Sequence, residues 1–248
     1  MFRELDQERF REACNIVLCR STPRNSIGTL SEKTLHAVLK RYYEPDAGRH
    51  EIKLGNYVAD IVSDDGIIEI QTGNFNKLRN KLKAFLAENI VTLVYPLPHI
   101  KWLCWIDKET GEISKRRKSP KVGTPYDAFY ELYKIKPLLR HHNLRLVIAM
   151  IDIIEYRNLD GWSNDRKRGS SRNERIPLSI ASELYLDCPA SYVKLLPDSL
   201  PEKFTVKDYA RASKLSNARA GIALNVLSSV GAILHAGKNG RACVYERC

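Results

Sequence analysis

Asp60, Glu69 and Gln71 are the residues whose types and spacing could do chemistry together. They belong to YVADIVSDDGIIEIQ, residues 57–71, where two runs rich in Val and Ile flank an Asp-Gly dipeptide. Asp-Gly is a preferred loop for a two-residue type I′ β-hairpin. With Asp65-Gly66 as that loop, Asp64 pairs with Ile67, Val62 with Glu69 and Asp60 with Gln71. Alternation then sends Asp60, Glu69 and Gln71 to one face and Ile61, Ile68 and Ile70 to the other. A slip of one residue would separate the two acids. The plain alternative is an Asp60 paired with a lysine and an exposed Glu69. Ile67, Ile68 and Ile70 argue instead for a buried strand, where an unpaired carboxylate is costly. Converging carboxylates are tolerated when a cation neutralises them, and oxygen ligands suit Mg2+ or Mn2+.

The elements that must hold these residues follow from periodicity. Helical spacing of apolar residues runs through 1–20 and again through 32–43, where Leu35, Val38, Leu39 and Tyr42 form a stripe. Glu32 and His36 lie one turn apart beside it. Residues 50–54 read as a strand leading into the hairpin. A helix over 74–88 turns Leu78, Leu82, Phe85 and Leu86 inward and stacks Lys77 and Lys81 on another side. Continuous apolar character makes 90–97 a buried strand, followed by a strand at 101–107, a helix at 126–140 and a long strand at 144–156. Helices alternating with strands define an α/β fold with a covered sheet.

An acid on one strand, a turn, then Glu-x-Gln on the next resembles the PD-(D/E)XK, or restriction-endonuclease-like, nuclease superfamily in its Glu-x-Gln variant. The context agrees over roughly residues 21–107: a Glu32 helix before the hairpin, a helix after it, then an apolar strand. The resemblance implies a mixed sheet flanked by helices and Mg2+-dependent hydrolysis of DNA phosphodiesters. It casts Asp60 and Glu69 as metal ligands, Glu32 as an outer ligand and Gln71 as the residue that orients water. Gln71 departs from the usual lysine, since an amide orients water but carries no charge. Lys77 or Lys81 could supply that charge. The competing implications are a non-catalytic DNA-binding regulator on a degenerate nuclease scaffold, or a subunit of a defence or repair complex.

Charge points the same way. Forty Lys and Arg against 29 Asp and Glu leave a formal +11 over 248 residues, which favours a polyanionic partner such as DNA. Basic residues cluster at Lys115, Arg116, Arg117 and Lys118, and again at Arg166, Lys167, Arg168, Arg172 and Arg175. Residues 157–176 read as a polar, arginine-rich loop, and the proline-punctuated 177–203 as a connector. No uncharged run approaches bilayer length and the N-terminus is charged throughout, so a membrane role is not expected and the cytoplasm is the default. Six scattered cysteines form no C-x-x-C pair, so no zinc ribbon is expected.

Residues 204–248 read as helix, turn, helix and hairpin, a layout that resembles a winged helix-turn-helix domain. Thr205 and Asp208 fit a capping box, and Ser216 caps the second helix. Ala220, Ala223, Leu224, Leu227 and Val230 form its inward stripe, with Asn217, Arg219, Asn225, Ile222 and Val226 facing out. Lys238 and Arg241 flank the wing. The resemblance implies DNA contact through that helix and wing. The expected organisation is a nuclease domain at 1–160, a basic loop and connector at 161–203, and the winged helix at 204–248. Cutting of both strands would favour a homodimer.

Overall fold

The computed structural model describes residues 5–20, 34–160 and 171–248. Six helices and ten strands are formed by these residues: α1 (Gln7–Arg20), α2 (Thr34–Tyr43), α3 (Phe75–Leu86), α4 (Phe129–Lys134), α5 (Val206–Ser213) and α6 (Asn217–Val230). The strands are β1 (His50–Leu54), β2 (Tyr57–Ser63), β3 (Gly66–Ile70), β4 (Val91–Ile106), β5 (Arg117–Lys118), β6 (Leu144–Asn158), β7 (Ser171–Leu186), β8 (Lys203–Thr205), β9 (Ile233–Asn239) and β10 (Ala242–Arg247). A seven-stranded mixed sheet runs β1-β2-β3-β4-β6-β7 with β5 also paired to β4, and β8-β10-β9 form a second, smaller sheet. The α/β class expected from the sequence is the class observed.

The chain divides into two units, each built from three stretches. One comprises Met1–His50, Pro96–Thr124 and Ala149–Glu183; the other comprises Glu51–Tyr95, Pro125–Ile148 and Leu184–Cys248. The expected division, by contrast, cuts the chain into consecutive blocks.

In the second unit, β3 is held antiparallel to β2 and parallel to β4. Its apolar residues explain the central position: Ile67 and Ile70 are buried, as are Val91, Leu93 and Val94 opposite. Helix α3 buries Phe75, Leu78, Leu82, Phe85 and Leu86, the stripe its sequence spacing requires. Tyr57 of β2 meets Phe85 edge-on at 6.0 Å, and Phe75 meets Tyr95 of β4 at 4.8 Å, which fixes the helix against both strands. The first turn of α3 is anchored from α4, where Glu131 accepts the Phe75 N–H at 2.8 Å.

The hairpin register differs from the expected one by two residues. Ser63 pairs with Gly66, Val62 with Ile67 and Ile61 with Ile68, so the loop is Asp64-Asp65. Gly66 is not a loop residue. It has φ +117°, and a Cβ there would run into the Ile90 carbonyl, whose oxygen accepts the Ile67 N–H at 2.9 Å. Close approach of β4 demands the glycine, not a type I′ turn. Because the shift is even, each side chain keeps its face.

Two further expectations are corrected. The strands at 90–97 and 101–107 are one continuous β4, which carries Pro96 and Pro98 beyond the end of β3, where no ladder donor is called for. Residues 171–186, expected within a loop and connector, form the sixteen-residue strand β7 at the end of the sheet order, an edge that accommodates Pro177.

In the first unit, α1 and α2 are tied to β7. Tyr42 and Tyr43 both donate their hydroxyls to Glu183, and the Gln7 amide donates to the Ile180 carbonyl. At the C-terminus the Thr205–Asp208 capping box opens α5, with the Thr205 N–H donating to Asp208 at 2.9 Å. Lys214 adopts φ +56° between α5 and α6. Ser216 then caps α6, and the β9–β10 hairpin closes over Gly240-Arg241, with Asn239 paired to Ala242.

Candidate functional site: a carboxylate pair on a hairpin

One step beyond the last ladder pair of the hairpin, Asp60 lies across from Glu69, and here side chains replace the backbone ladder. The Ile70 N–H donates to Asp60 Oδ2 at 2.8 Å, and the Asp60 N–H donates to Glu69 Oε1 at 3.1 Å. Each acid is therefore gripped by the other's strand, which fixes both carboxylates without a rotamer search. Lys81, reaching from α3, donates to Glu69 Oε2 at 2.5 Å. Glu69 is only 2% exposed. Burial, and then the neighbouring Asp60 carboxylate, push its pKa up to about 7, against the opposing pull of Lys81. Lys81 does not bring Glu69 back to the ordinary carboxylate range.

Lys81 stands where the sequence allowed either of two lysines. It is half-buried between Glu69 and the Phe85 ring, 5.6 Å from the ring centroid, whereas Lys77, one turn earlier, is exposed. Gln71 is spoken for locally. Its N–H donates to the Val94 carbonyl at 2.9 Å, and its side-chain amide donates to the Gly73 carbonyl. Glu32 lies outside the described residues. Among the described residues, no group of three or more His, Cys, Asp or Glu gathers in metal-binding array. Two carboxylates remain a set that suits Mg2+, which keeps much of its water shell.

The residues expected to touch DNA fall on several elements. Arg166, Lys167 and Arg168 lie outside the described residues. Arg116 stacks over Trp102 at 4.2 Å, and Arg117 and Lys118 make up the exposed strand β5. On α6, Asn217 is exposed, but Arg219 pairs with Asp127 at 3.1 Å and Asn225 accepts from Lys136 at 2.8 Å. Val226, expected to face outward, is fully buried, and Ile222 is half-buried. Asn217, Arg219 and Asn225 are all exposed, the last two with partners in their own unit. Lys238 and Arg241 are exposed near the end of the β9–β10 hairpin.

Sequence reasoning missed a second buried carboxylate, in the other unit. Glu155 of β6 is fully buried and ringed by Arg157, Arg175, Lys101 and Arg172. Burial alone would raise its pKa, but the surrounding cations, Arg175 and Lys101 foremost, bring it to about 2. The signal was present: a Glu inside the apolar run of β6 needs partners for the reason that singled out Glu69.

These features define a class: an α/β protein with a mixed sheet and a carboxylate pair, Glu69 buried and Asp60 half-buried, on the β2–β3 hairpin. The chain belongs to the family described as Domain of unknown function (DUF8091), whose model matches residues 33–187 and so takes in the hairpin, Lys81 and Glu155. It is also similar to an uncharacterized protein of Treponema pallidum (strain Nichols), 31% identical over 225 residues, covering 90% of this chain and 88% of that one. No solved structure matches the chain. Among the described residues, no helix is long and apolar enough to cross a membrane.

Proposed function

We propose that the chain is a Mg2+-dependent DNA endonuclease of the PD-(D/E)XK type, with Asp60, Glu69 and Lys81 at its centre. The observation that carries the reading is the face-to-face lock of Asp60 and Glu69 with Lys81 on Glu69. An acid on one strand, an acid on the next and a lysine at the second acid form the charge pattern of that superfamily. The lysine here comes from α3 instead of from position 71. A bound Mg2+ would polarise the scissile phosphate and acidify its attacking water. Asp60 and Glu69 would hold the cation. Lys81 keeps Glu69 oriented and contributes positive charge beside the reacting phosphate. Gln71, through its amide, fixes the turn at Gly73.

The C-terminal helices and hairpin support a winged-helix reading, with a change of emphasis. DNA contact would fall to Lys238 and Arg241 of the wing, because Arg219 and Asn225 of α6 are engaged with Asp127 and Lys136.

The test uses supercoiled plasmid, linear duplex and single-stranded DNA with Mg2+, Mn2+ or EDTA. Wild type should cut with metal and not in EDTA. Asp60→Ala and Glu69→Ala should each lose at least about a thousandfold in rate while binding DNA in EDTA as before, since several kcal/mol of transition-state stabilisation go with the metal. Equal cutting by wild type and variants ends the assignment, and metal-independent binding without cutting by wild type favours a regulator.

A further inference from the structure

Four cations gather around the Glu155 carboxylate, and two of them stand off from it. Glu155 Oε1 is hydrogen-bonded by Arg157, with Nε at 2.8 Å and the nearest terminal nitrogen at 2.6 Å. Oε2 accepts from Arg175 Nε at 3.0 Å. Two guanidiniums therefore satisfy both oxygens. Lys101 Nζ and Arg172 Nε nevertheless stand 3.5 Å away, drawn in but beyond good hydrogen-bond length. Their side chains are 24% and 49% exposed, so their donors reach solvent.

Cations gathered this closely repel one another. Burial already lowers the pKa of Lys101, and its Arg157 and Arg175 neighbours lower it further against the pull of Glu155. The four come from β4, β6 and β7, neighbours in the sheet order, so the array spans roughly 10 Å of sheet. A carboxylate that holds two guanidiniums fixed, beside two further cations presented outward, is a rigid anion receptor.

We infer that Lys101 and Arg172, supported by the Glu155–Arg157–Arg175 core, form a binding site for backbone phosphates of a nucleic-acid strand. The inference rests on the nucleic-acid reading above and concerns binding, not the cleavage step. Glu155 acts as a positioning residue and the two outer cations as the contacts.

The test is binding of fluorescently labelled single-stranded and duplex oligonucleotides in EDTA, followed by anisotropy across a KCl series. The double variant K101Q/R172Q should bind about tenfold or more weakly at low salt, uniformly across sequences. Its slope of log K against log salt should shrink by about 1 to 2, as expected for two lost phosphate contacts. Arg172→Gln alone, at a half-exposed position that leaves the fold intact, should shrink the slope by about 1. Wild-type affinity and slope in both variants would overturn the site. If wild type then still cuts DNA with Mg2+, only this inference fails; if wild type binds no nucleic acid at all, both readings fail together.

Discussion

Glu69 and Glu155 each sit inside an apolar strand with almost no exposure, yet their surroundings pull them in opposite directions. Glu69 faces another carboxylate and a single lysine, and its pKa rises to about 7. Glu155 faces three arginines and a lysine, and its pKa falls to about 2. Burial raises both; the charges decide the sign. Under the function proposed above, the first site would hold the cation and the second would face the phosphates, and the two belong to separate units.

Removing Glu155 should have the largest effect. Glu155→Ala leaves Arg157, Arg175 and Lys101 clustered without their counter-charge, and should destabilise the fold by about 3 to 5 kcal/mol at neutral pH, measured by urea unfolding. The folded pKa lies below the usual 4.5, so the stabilisation from Glu155 is complete above pH 4.5 and is lost as pH falls toward 2. The gap between wild type and variant should close over that window. A gap that persists unchanged to pH 2 would mean the carboxylate's charge is not what holds the cluster.

The same operation on Glu69 should have the opposite sign. Its folded pKa lies above 4.5, so folding takes up a proton between pH 4.5 and 7, and ionised Glu69 opposes folding above pH 7. Glu69→Gln keeps the acceptor for the Asp60 N–H and removes the charge. It should stabilise the protein by about 2 to 3 kcal/mol at pH 8, with the gain vanishing near pH 4.5. Destabilisation at pH 8 would show that the Lys81 pair outweighs the repulsion from Asp60, and the contrast with Glu155 would collapse.

How much of this contrast the sequence held depends on which rule was applied where. The Asp60–Glu69 face was legible because strand alternation survives an even slip, although the loop was misplaced. Gly66 was read as turn chemistry, while the actual constraint is the Ile90 carbonyl of a parallel neighbour, a contact that no local pattern reveals. Strand β7 was hidden because its first half, SRNERI, is polar. Its arginines are paired across the sheet with Glu155, so composition there reports a charge network and not a flexible loop. On α6, Val226 looked outward because the stripe of Ala220, Ala223, Leu224 and Leu227 already accounts for one buried face. Val226 is buried nonetheless, while Arg219 stays exposed and pairs with Asp127, a residue far away in sequence.

The smallest expected effect separates the two lysines of α3. Lys81 donates to Glu69 and lowers its pKa, while Lys77 is exposed one turn away. Lys81→Met should therefore raise the Glu69 midpoint by roughly one pH unit, followed by carboxyl carbon NMR with Glu69→Gln as the assignment control. That corresponds to about 1 kcal/mol of stability lost at pH 8. Lys77→Met, exposed and screened by water, should leave the midpoint in place. If instead Lys77→Met moved the midpoint as far as Lys81→Met, the positive charge near Glu69 would be a diffuse property of the α3 face. The site would then lack the fixed ammonium that the contrast with Glu155 assumes, and Lys81 could no longer stand in for the lysine that position 71 lacks.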